Sequence, residues 1–264
     1  MTPETSSYVP TRSDPGAGIL NRVAEVTLAF WIMKILATTL GETAGDYLSM
    51  TLNLGYYISF AITFALLGVI LWVKVRAEGF SPVLFWTAIV VATTAGTEVS
   101  DLMDRSLGLG YLWGSVLLVA GLVATLIFWK RRHGSLSVEP ILTRPVEILF
   151  WIAVVFSNSL GTAFGDFLTD NLSLSYLQGA FVTAGVIGVV LALHYATRIN
   201  AVLLFWLAFV FTRPFGATFG DFLTKPVADG GLSLPREWAS LVTLAALAAV
   251  LAFTARASRT ARQS

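Results

Sequence analysis

The sequence predicts an all-α integral membrane protein of eight transmembrane helices. Of its 264 residues, 56% are hydrophobic and only 12% are charged, about half the charged share of a soluble domain. Its mean hydropathy is +0.75. Eight apolar segments, each close to the ~20 residues that a spanning helix needs, are predicted at 23–46, 54–73, 82–103, 109–129, 145–168, 174–195, 200–223 and 238–255.

A motif that occurs four times organises these segments. It consists of a glycine, three further residues, a small residue and an aspartate, at 41–46, 96–101, 161–166 and 216–221. A tryptophan precedes each aspartate by fifteen residues: Trp31, Trp86, Trp151 and Trp206. Four copies in such alignment indicate internal repetition. We therefore predict four helical hairpins, with the motif on the first helix of each.

The spacing of the tryptophans divides the chain into two halves. Trp31 and Trp151 are 120 residues apart, as are Trp86 and Trp206. We predict a first four-helix half at 21–132, a linker at 133–142 and a second half at 143–256. A disordered tail at 1–20 and a C-terminal tail at 257–264 complete the predicted organisation.

Basic residues predict how the hairpins are oriented. Twelve of the 17 Lys and Arg residues lie on one side of the predicted segments, whereas only Arg105, Lys225 and Arg236 lie on the other. By the positive-inside rule, both termini and the linker are cytoplasmic. Every hairpin then inserts the same way up, so the repeats are parallel and pseudo-symmetric about the membrane normal. The predicted location is a bacterial inner membrane.

Composition excludes several kinds of function. The chain has no cysteine and only two histidines, His133 and His194, which disfavours thiolate chemistry and zinc or haem centres. The net charge of +1 gives no sign of nucleic-acid binding. No nucleophile with a neighbouring base is present along the repeats, so we do not expect an enzyme, and we expect no resident cofactor.

The motif glycines are interpreted as helix-packing positions. Small residues four apart on one helix face let a neighbouring backbone approach closely. The glycines concerned are Gly41, Gly45, Gly96, Gly161, Gly165, Gly216 and Gly220.

The acids of the motif are less easily explained by packing. With the residues one turn below them they form a polar stripe on otherwise apolar helices, and buried charges in a membrane are rarely kept without a partner or a task. The candidate metal ligands are Asp46, Asp101, Asp166, Asp221, Glu42 and Glu98. The predicted polar lining consists of Thr38, Thr93 and Asn158.

Two basic residues, Lys34 and Arg213, lie inside the stripe and bring its formal charge to −4. Two interpretations are open. Either these bases neutralise the glutamates as buried ion pairs, or they gate a cation path as tethered counter-charges that a cation displaces. The available oxygen ligands suit Mg²⁺, Ca²⁺ or Mn²⁺ better than copper or zinc.

The Gly-Asp-Phe-Leu elements at 165–168 and 220–223, with Gly-Glu-Thr-Ala-Gly-Asp at 41–46, carry a resemblance. They resemble an uncharacterised bacterial family of multipass "membrane-anchored" proteins, which is sometimes labelled as predicted regulators of amylopullulanase. The resemblance covers nearly all of the chain and implies a multipass protein. A looser similarity links Glu42-Thr-Ala-Gly-Asp46 to cation exporters with a Glu-x-Gly-Asp signature, although this chain has one more residue between its acids.

Three functions are consistent with these observations. The first is a transporter or channel for a divalent cation, Mn²⁺ or Mg²⁺, through the acidic, Gly/Thr-lined helix interface. The second is a scaffold or regulator whose polar stripe only organises helix packing, and the third is an intramembrane enzyme using paired acids. The partners expected for the first are the lipid bilayer and a small inorganic cation; a homo-oligomer is one of the assemblies that the sequence allows.

Overall fold

The computed structural model describes residues 21–77 and 79–261, and within these residues all regular structure is helical. The predicted tail at 1–20 lies outside the described residues. Eight long helices follow one another along the chain: α1 Leu28–Asp46, α2 Gly55–Arg76, α3 Pro82–Asp101, α4 Gly110–His133, α5 Arg144–Asp166, α6 Tyr176–Ala196, α7 Ala201–Thr224 and α8 Arg236–Ala261. The eight predicted helices are thus confirmed, and α8 continues into the predicted C-terminal tail.

Seven of the eight described helices, α2 to α8, are long and apolar enough to cross a membrane. The first helix is the exception. Its 19 residues include Lys34, Glu42 and Asp46 together with several threonines.

Local sequence signals set the helix ends. The Thr27 hydroxyl accepts a hydrogen bond from Phe30 N at the start of α1, and Ser81 does the same for α3, which begins with Pro82. Side-chain acceptors at these positions satisfy amides that have no partner within the helix. After each of the first three motif aspartates the helix widens into one π-helical turn, at Tyr47–Thr51, Leu102–Ser106 and Phe167–Asn171. After the fourth, Lys225 is extended (ψ 159°), because Pro226 follows it.

The four motif-bearing helices form a closed ring. In cyclic order, α1 packs against α3, α3 against α5, α5 against α7, and α7 against α1. We call α1, α3, α5 and α7 the ring helices. The other four, the peripheral helices, leave most of their surface exposed.

Each peripheral helix packs mainly on the ring helix of the next repeat. The pairs are α2 on α3, α4 on α5, α6 on α7 and, closing the circle, α8 on α1. The hairpins are therefore interlocked rather than placed side by side.

An aromatic layer closes one end of the ring, which we call the tryptophan end. A phenylalanine precedes each repeat tryptophan, and its ring contacts the tryptophan of the next repeat at centroid distances of 5.5–6.4 Å. The four contacts are Phe30–Trp86 at 5.5 Å, Phe85–Trp151 at 5.7 Å, Phe150–Trp206 at 6.4 Å and Phe205–Trp31 at 5.8 Å. The opposite end, which carries the motif aspartates, is the motif end.

The linker between the halves is tied to the tryptophan end. Glu147 at the start of α5 is fully buried and pairs with Arg22 and, at 2.6 Å, with Lys74 of α2. Arg22 N donates to Ile141 O at 2.8 Å, and Ile141 is itself fully buried. This cluster fixes the segment before α1 and the linker against the ring.

Candidate functional site

Two of the four motif aspartates share one lysine at the motif end. Lys225 Nζ lies 2.8 Å from Asp46 Oδ2 and 3.1 Å from Asp221 Oδ1. Arg236, at the start of α8, places its Nε 3.4 Å from the same Asp46 oxygen. Partial burial lowers the pKa of Lys225, but Asp221 and Asp46 more than offset this, so its pKa lies above the ordinary lysine value. This amine is therefore held as an ammonium ion.

The other two motif aspartates share one arginine. Arg105 Nε lies 3.0 Å from Asp101 Oδ1, and its Nη2 lies 3.3 Å from Asp166 Oδ2. Asp170 adds a third carboxylate at 3.6 Å. The predicted four acids are thus arranged as two pairs, and each pair joins neighbouring ring helices through one base.

Both bridging bases occupy the same place in their repeats, four residues after the motif aspartate. In the other two repeats this position holds Met50 and Asp170. Residues four apart lie on one helix face, so the spacing was visible in the sequence. Sequence reasoning used Arg105 and Lys225 only to orient the hairpins and missed their contact with the motif.

At the motif end, the aspartates and the bridging bases differ in how much of each residue is exposed. The four motif aspartates are 2–5% exposed, whereas the side chain of Lys225 is 17% and that of Arg105 is 36% exposed. The carboxylates are therefore fixed within the ring, while the bases reach them from the solvent edge.

Glu42 and Arg213 form a buried pair deeper in the ring. Arg213 Nη2 lies 2.7 Å from Glu42 Oε2, and the arginine side chain is fully buried. The same Nη2 donates to Thr97 Oγ1 at 2.5 Å, and Arg213 Nη1 reaches Thr38 O at 3.5 Å. This pair connects α7 to α1, the last ring helix to the first.

Lys34 is buried without a carboxylate. Its Nζ donates to Asn158 Oδ1 at 3.2 Å and lies 4.1 Å from the centroid of the Phe209 ring. Asn158 Nδ2 in turn donates to Thr93 Oγ1 at 3.4 Å. Among the described residues no carboxylate oxygen lies within 4.0 Å of Lys34 Nζ, so of the two stripe bases Arg213 pairs with a glutamate and Lys34 does not.

The predicted polar lining residues Thr38, Thr93 and Asn158 are each fully buried. All three lie seven residues after a repeat tryptophan, as Arg213 does in the fourth copy. These residues, together with Glu42, Thr97 and Lys34, form a column of hydrogen-bonded polar side chains that joins the ring helices. We call it the polar column.

Glu98 lies beside this column. Its side chain is fully buried, and neither carboxylate oxygen has a hydrogen-bond partner among the described residues. Oε1 lies 3.6 Å from where a Cβ on Gly45 of α1 would be. Repeat-equivalent residues face peripheral helices: Thr43 accepts from Ser240 of α8 at 2.8 Å, and Thr218 lies against Gly179 of α6. The contact that Glu98 itself makes is with Gly45, so its side chain lies where α3 packs against α1.

The motif glycines lie where one ring helix meets the next. A Cβ on Gly41 would come within 2.7 Å of Thr93 Cβ, and one on Gly96 within 2.7 Å of Asn158 Cβ. Added Cβ atoms would likewise meet the neighbouring ring helix at Gly45, Gly161, Gly165, Gly216 and Gly220. Close approach of the ring helices therefore depends on these positions lacking a side chain.

The six predicted metal ligands are not gathered into a single cluster in this arrangement. Within residues 21–77 and 79–261, no group of three or more Asp, Glu or His side chains is placed to hold a metal ion. The carboxylates that lie closest to one another are the two around Lys225 and the three around Arg105.

The repeats seen in the fold can be compared with known protein families. Residues 29–80, 84–135, 149–200 and 204–260 each match the repeat described as "Repeat of Unknown Function (DUF347)". The chain belongs to the DUF347 repeat family. Each DUF347 repeat comprises one ring helix with the peripheral helix that follows it, and four repeats cover most of the chain. The comparisons find no curated protein and no solved structure that matches the chain.

Proposed function

We propose that this four-repeat protein is a multipass transporter of the bacterial inner membrane that moves a divalent cation, Mn²⁺ or Mg²⁺. The two carboxylate pairs at the motif end are its outer binding sites. Lys225 and Arg105 occupy these sites as tethered counter-charges until a cation displaces them.

The observation that carries this proposal is the geometry around Lys225. Two buried carboxylates from different helices, Asp46 and Asp221, converge on one positive charge at 2.8 and 3.1 Å. A divalent cation requires the same convergence of hard oxygen ligands, at ~2.0–2.6 Å. Because the lysine is attached at the solvent edge, it can leave the site while the carboxylates stay.

The polar column supplies the path inward from these sites. Buried charged groups within a membrane cost ~3 kcal/mol or more each, yet Glu42, Arg213 and Lys34 are all kept in the middle of the ring. In this proposal the aromatic layer at the tryptophan end closes the path on the cytoplasmic side.

The membrane arrangement belongs to the same proposal. All eight helices span the bilayer, including α1, whose polar residues face the ring. The four hairpins insert in parallel about an axis along the membrane normal, with both termini cytoplasmic and the motif end outside. The closed ring of contacts and the interlocked hairpins support this arrangement.

The proposal is tested with purified protein in liposomes that contain a dye quenched by Mn²⁺. We expect Mn²⁺ influx with the wild type and its loss with Asp46→Asn or Asp221→Asn, because each removes half of a carboxylate pair. Asp229→Asn, which changes an exposed acid at the same end, is the matched control and should transport normally. Absence of influx across Mn²⁺, Mg²⁺ and Ca²⁺ with folded wild-type protein would reject transport.

A second candidate is a membrane scaffold or regulator, the role implied by the regulator label of the family that the motif resembles. It is favoured by one specific observation: each motif aspartate is already ion-paired, and no group of three acids is placed for a metal within the described residues. In that case the pairs only hold ring helices together.

Lys225→Gln separates the two candidates. A transporter whose lysine occupies a cation site should bind Mn²⁺ more tightly once the lysine is removed. A scaffold should gain no metal affinity. Calorimetric titration with Mn²⁺ separates the two candidates, because both predict a loss of thermal stability when the lysine is removed.

A further inference from the structure

An open groove lies between the peripheral helix α2 and the ring helix α5. Its volume is about 560 Å³, and its walls are almost wholly apolar. Leu67, Leu71, Ile152 and Val155 line it, as does Gly68, where an added Cβ would meet no atom within 4 Å. Because α2 packs mainly on α3, a strip of α5 is left uncovered beside it.

The groove has about the depth of one leaflet of a bilayer. Along α2 its lining runs from Phe64 to Arg76, which is about 18 Å of helix. A hydrocarbon core of ~30 Å gives each leaflet about 15 Å. Arg76 is the last residue of α2, so the groove reaches from the membrane surface at the tryptophan end to near the middle of the bilayer.

Basic groups gather at the surface end of the groove. Arg76 lines the groove, and its guanidinium carbon lies 4.3 Å from the centroid of the Trp72 ring. Arg144, the first residue of α5, donates from Nη2 to Arg76 O at 3.4 Å, which brings a second guanidinium to the same place. The last turn of α2 and the first turn of α5 contain three bases and one acid, and that acid, Glu147, is already paired with Lys74.

One buried donor beside the groove lacks an acceptor. Trp151 lines the groove and is 2% exposed, and its indole Nε1 has no hydrogen-bond partner among the described residues. The repeat-equivalent Trp206 donates from Nε1 to Leu136 O at 3.2 Å. A buried N–H group without an acceptor is costly. The carbonyls of a neighbouring membrane helix are already bonded within that helix, whereas the ester carbonyl of a lipid is a free acceptor next to its acyl chains.

We propose that this groove binds one anionic glycerophospholipid in the leaflet at the tryptophan end. An acyl chain lies along the apolar walls, the phosphate lies between Arg76 and Arg144, and an ester carbonyl accepts from Trp151 Nε1. Basic pockets between membrane helices recognise anionic headgroups by the same chemistry. The inference rests on the membrane arrangement that belongs to the proposed function, and not on cation transport.

The second half of the chain contains an equivalent groove, of about 520 Å³, between α6 and α1. Ile187 and Leu191 line it, 120 residues after Leu67 and Leu71. Its described lining includes the acid Glu139 and no arginine. The positions equivalent to Trp72, Arg76 and Arg144 are occupied by Ala192, Ala196 and Ala24. We therefore expect one anionic lipid per chain and not two.

Counting bound lipid by native mass spectrometry tests the inference. Full-length protein is stripped of lipid in detergent and titrated with phosphatidylglycerol or with phosphatidylcholine, whose headgroup has a phosphate but no net charge. We expect one phosphatidylglycerol per chain, bound about tenfold more tightly than phosphatidylcholine. Phosphatidylglycerol with ether-linked chains should bind about fivefold more weakly than the ester-linked form, because it offers no carbonyl to Trp151.

Two variants address the groove itself. Gly68→Leu fills the groove and should abolish the bound lipid, whereas Gly188→Leu makes the same change at the equivalent position of α6, where a Cβ also meets no atom within 4 Å, and should bind it normally. Arg76→Gln should weaken binding of phosphatidylglycerol about tenfold and leave that of phosphatidylcholine unchanged. Its matched control is Arg131→Gln, which changes an exposed base at the end of α4.

Several results would overturn the lipid site. Equal affinity of the wild type for phosphatidylglycerol and phosphatidylcholine would do so, as would full binding by Gly68→Leu. A wild-type dimer that Gly68→Leu converts to a monomer, with no preference among lipids, would make a second copy of the chain the occupant. Ether-linked phosphatidylglycerol that binds as tightly as the ester-linked form would remove Trp151 from the site.

The lipid site and cation transport can fail separately. Protein that moves Mn²⁺ into liposomes but binds no phosphatidylglycerol in detergent leaves transport standing and rejects the lipid site. Protein that binds one phosphatidylglycerol per chain but moves no divalent cation does the reverse.

Discussion

Arg213 Nη2 lies 2.7 Å from Glu42 Oε2, and this fully buried ion pair ties the last ring helix to the first. The two residues are 171 positions apart in sequence. The pair therefore closes the ring where the chain itself supplies no connection.

Loss of either partner should destabilise the protein strongly. Glu42→Gln leaves the Arg213 guanidinium in the interior without a counter-charge, a change that typically lowers the free energy of unfolding by about 3–5 kcal/mol. Arg213→Met should cost a similar amount. The double variant should recover part of the loss, which a double-mutant cycle of thermal unfolding in detergent would show; purely additive losses would argue against direct coupling.

Lys34 should respond in the opposite way. Its amino group has an amide oxygen and an aromatic ring as neighbours but no carboxylate within 4.0 Å among the described residues. A buried amine without a counter-charge carries a desolvation cost that an apolar side chain of similar volume does not carry. Lys34→Met should therefore change the free energy of unfolding by less than about 1 kcal/mol or raise it. A loss as large as that of Arg213→Met would contradict this account.

The ring interface should be intolerant of side chains at the motif glycines. In Gly96→Ala the new Cβ would lie 2.7 Å from Asn158 Cβ and 2.9 Å from the Asn158 carbonyl carbon. Because backbone must move to accept it, we expect a loss of about 1–3 kcal/mol. Gly68→Ala on α2, where a Cβ meets no atom within 4 Å, is the matched control. Thermal unfolding of the two variants side by side gives the comparison, and equal melting temperatures would refute close packing here.

The stabilising effect of Lys225 should persist into alkaline solution. Its pKa is raised in the folded protein by Asp221 and Asp46, although burial alone would lower it. A raised pKa means that the contribution is complete below the unfolded-state value of ~10.4 and is lost only as the pH rises beyond it. Lys225→Gln should therefore be less stable than the wild type by about 2 kcal/mol, after allowance for its partial exposure, at both pH 7 and pH 9. A difference that disappears by pH 9 would show that the ammonium ion is not held as described.

Much of this fold could be predicted from sequence, because hydrophobic length and the tryptophan spacing report directly on helices and repeats. The third segment was predicted at 82–103, and α3 runs from Pro82 to Asp101 before its π-helical turn. The packing of each peripheral helix on the ring helix of the next repeat, with α2 on α3 and α8 on α1, could not be predicted. Repeats of similar sequence offer equivalent surfaces, so composition does not indicate which copy a peripheral helix will choose.

The candidate site could be predicted only in part, because helix periodicity shows which residues share a face but not which helices are neighbours. Periodicity placed Glu42 and Arg213 on the inward faces of their helices, but only the ring order brings them together. Arg105 and Lys225 lie beyond the apolar segments, where a basic residue usually marks the membrane surface. Each of these two bases lies four residues after a motif aspartate, and this spacing was the sequence feature that indicated contact between the base and the aspartate.

The interlocked hairpins also bear on how the protein is made. The peripheral partner of α1 is α8, which leaves the ribosome after the other seven described helices. Until α8 arrives, one side of α1, with Asp46 and Thr43, lacks Arg236 and Ser240 as partners. No hairpin is complete by itself during synthesis, so α1 gains its peripheral partner only once α8 has been synthesised and has packed against it.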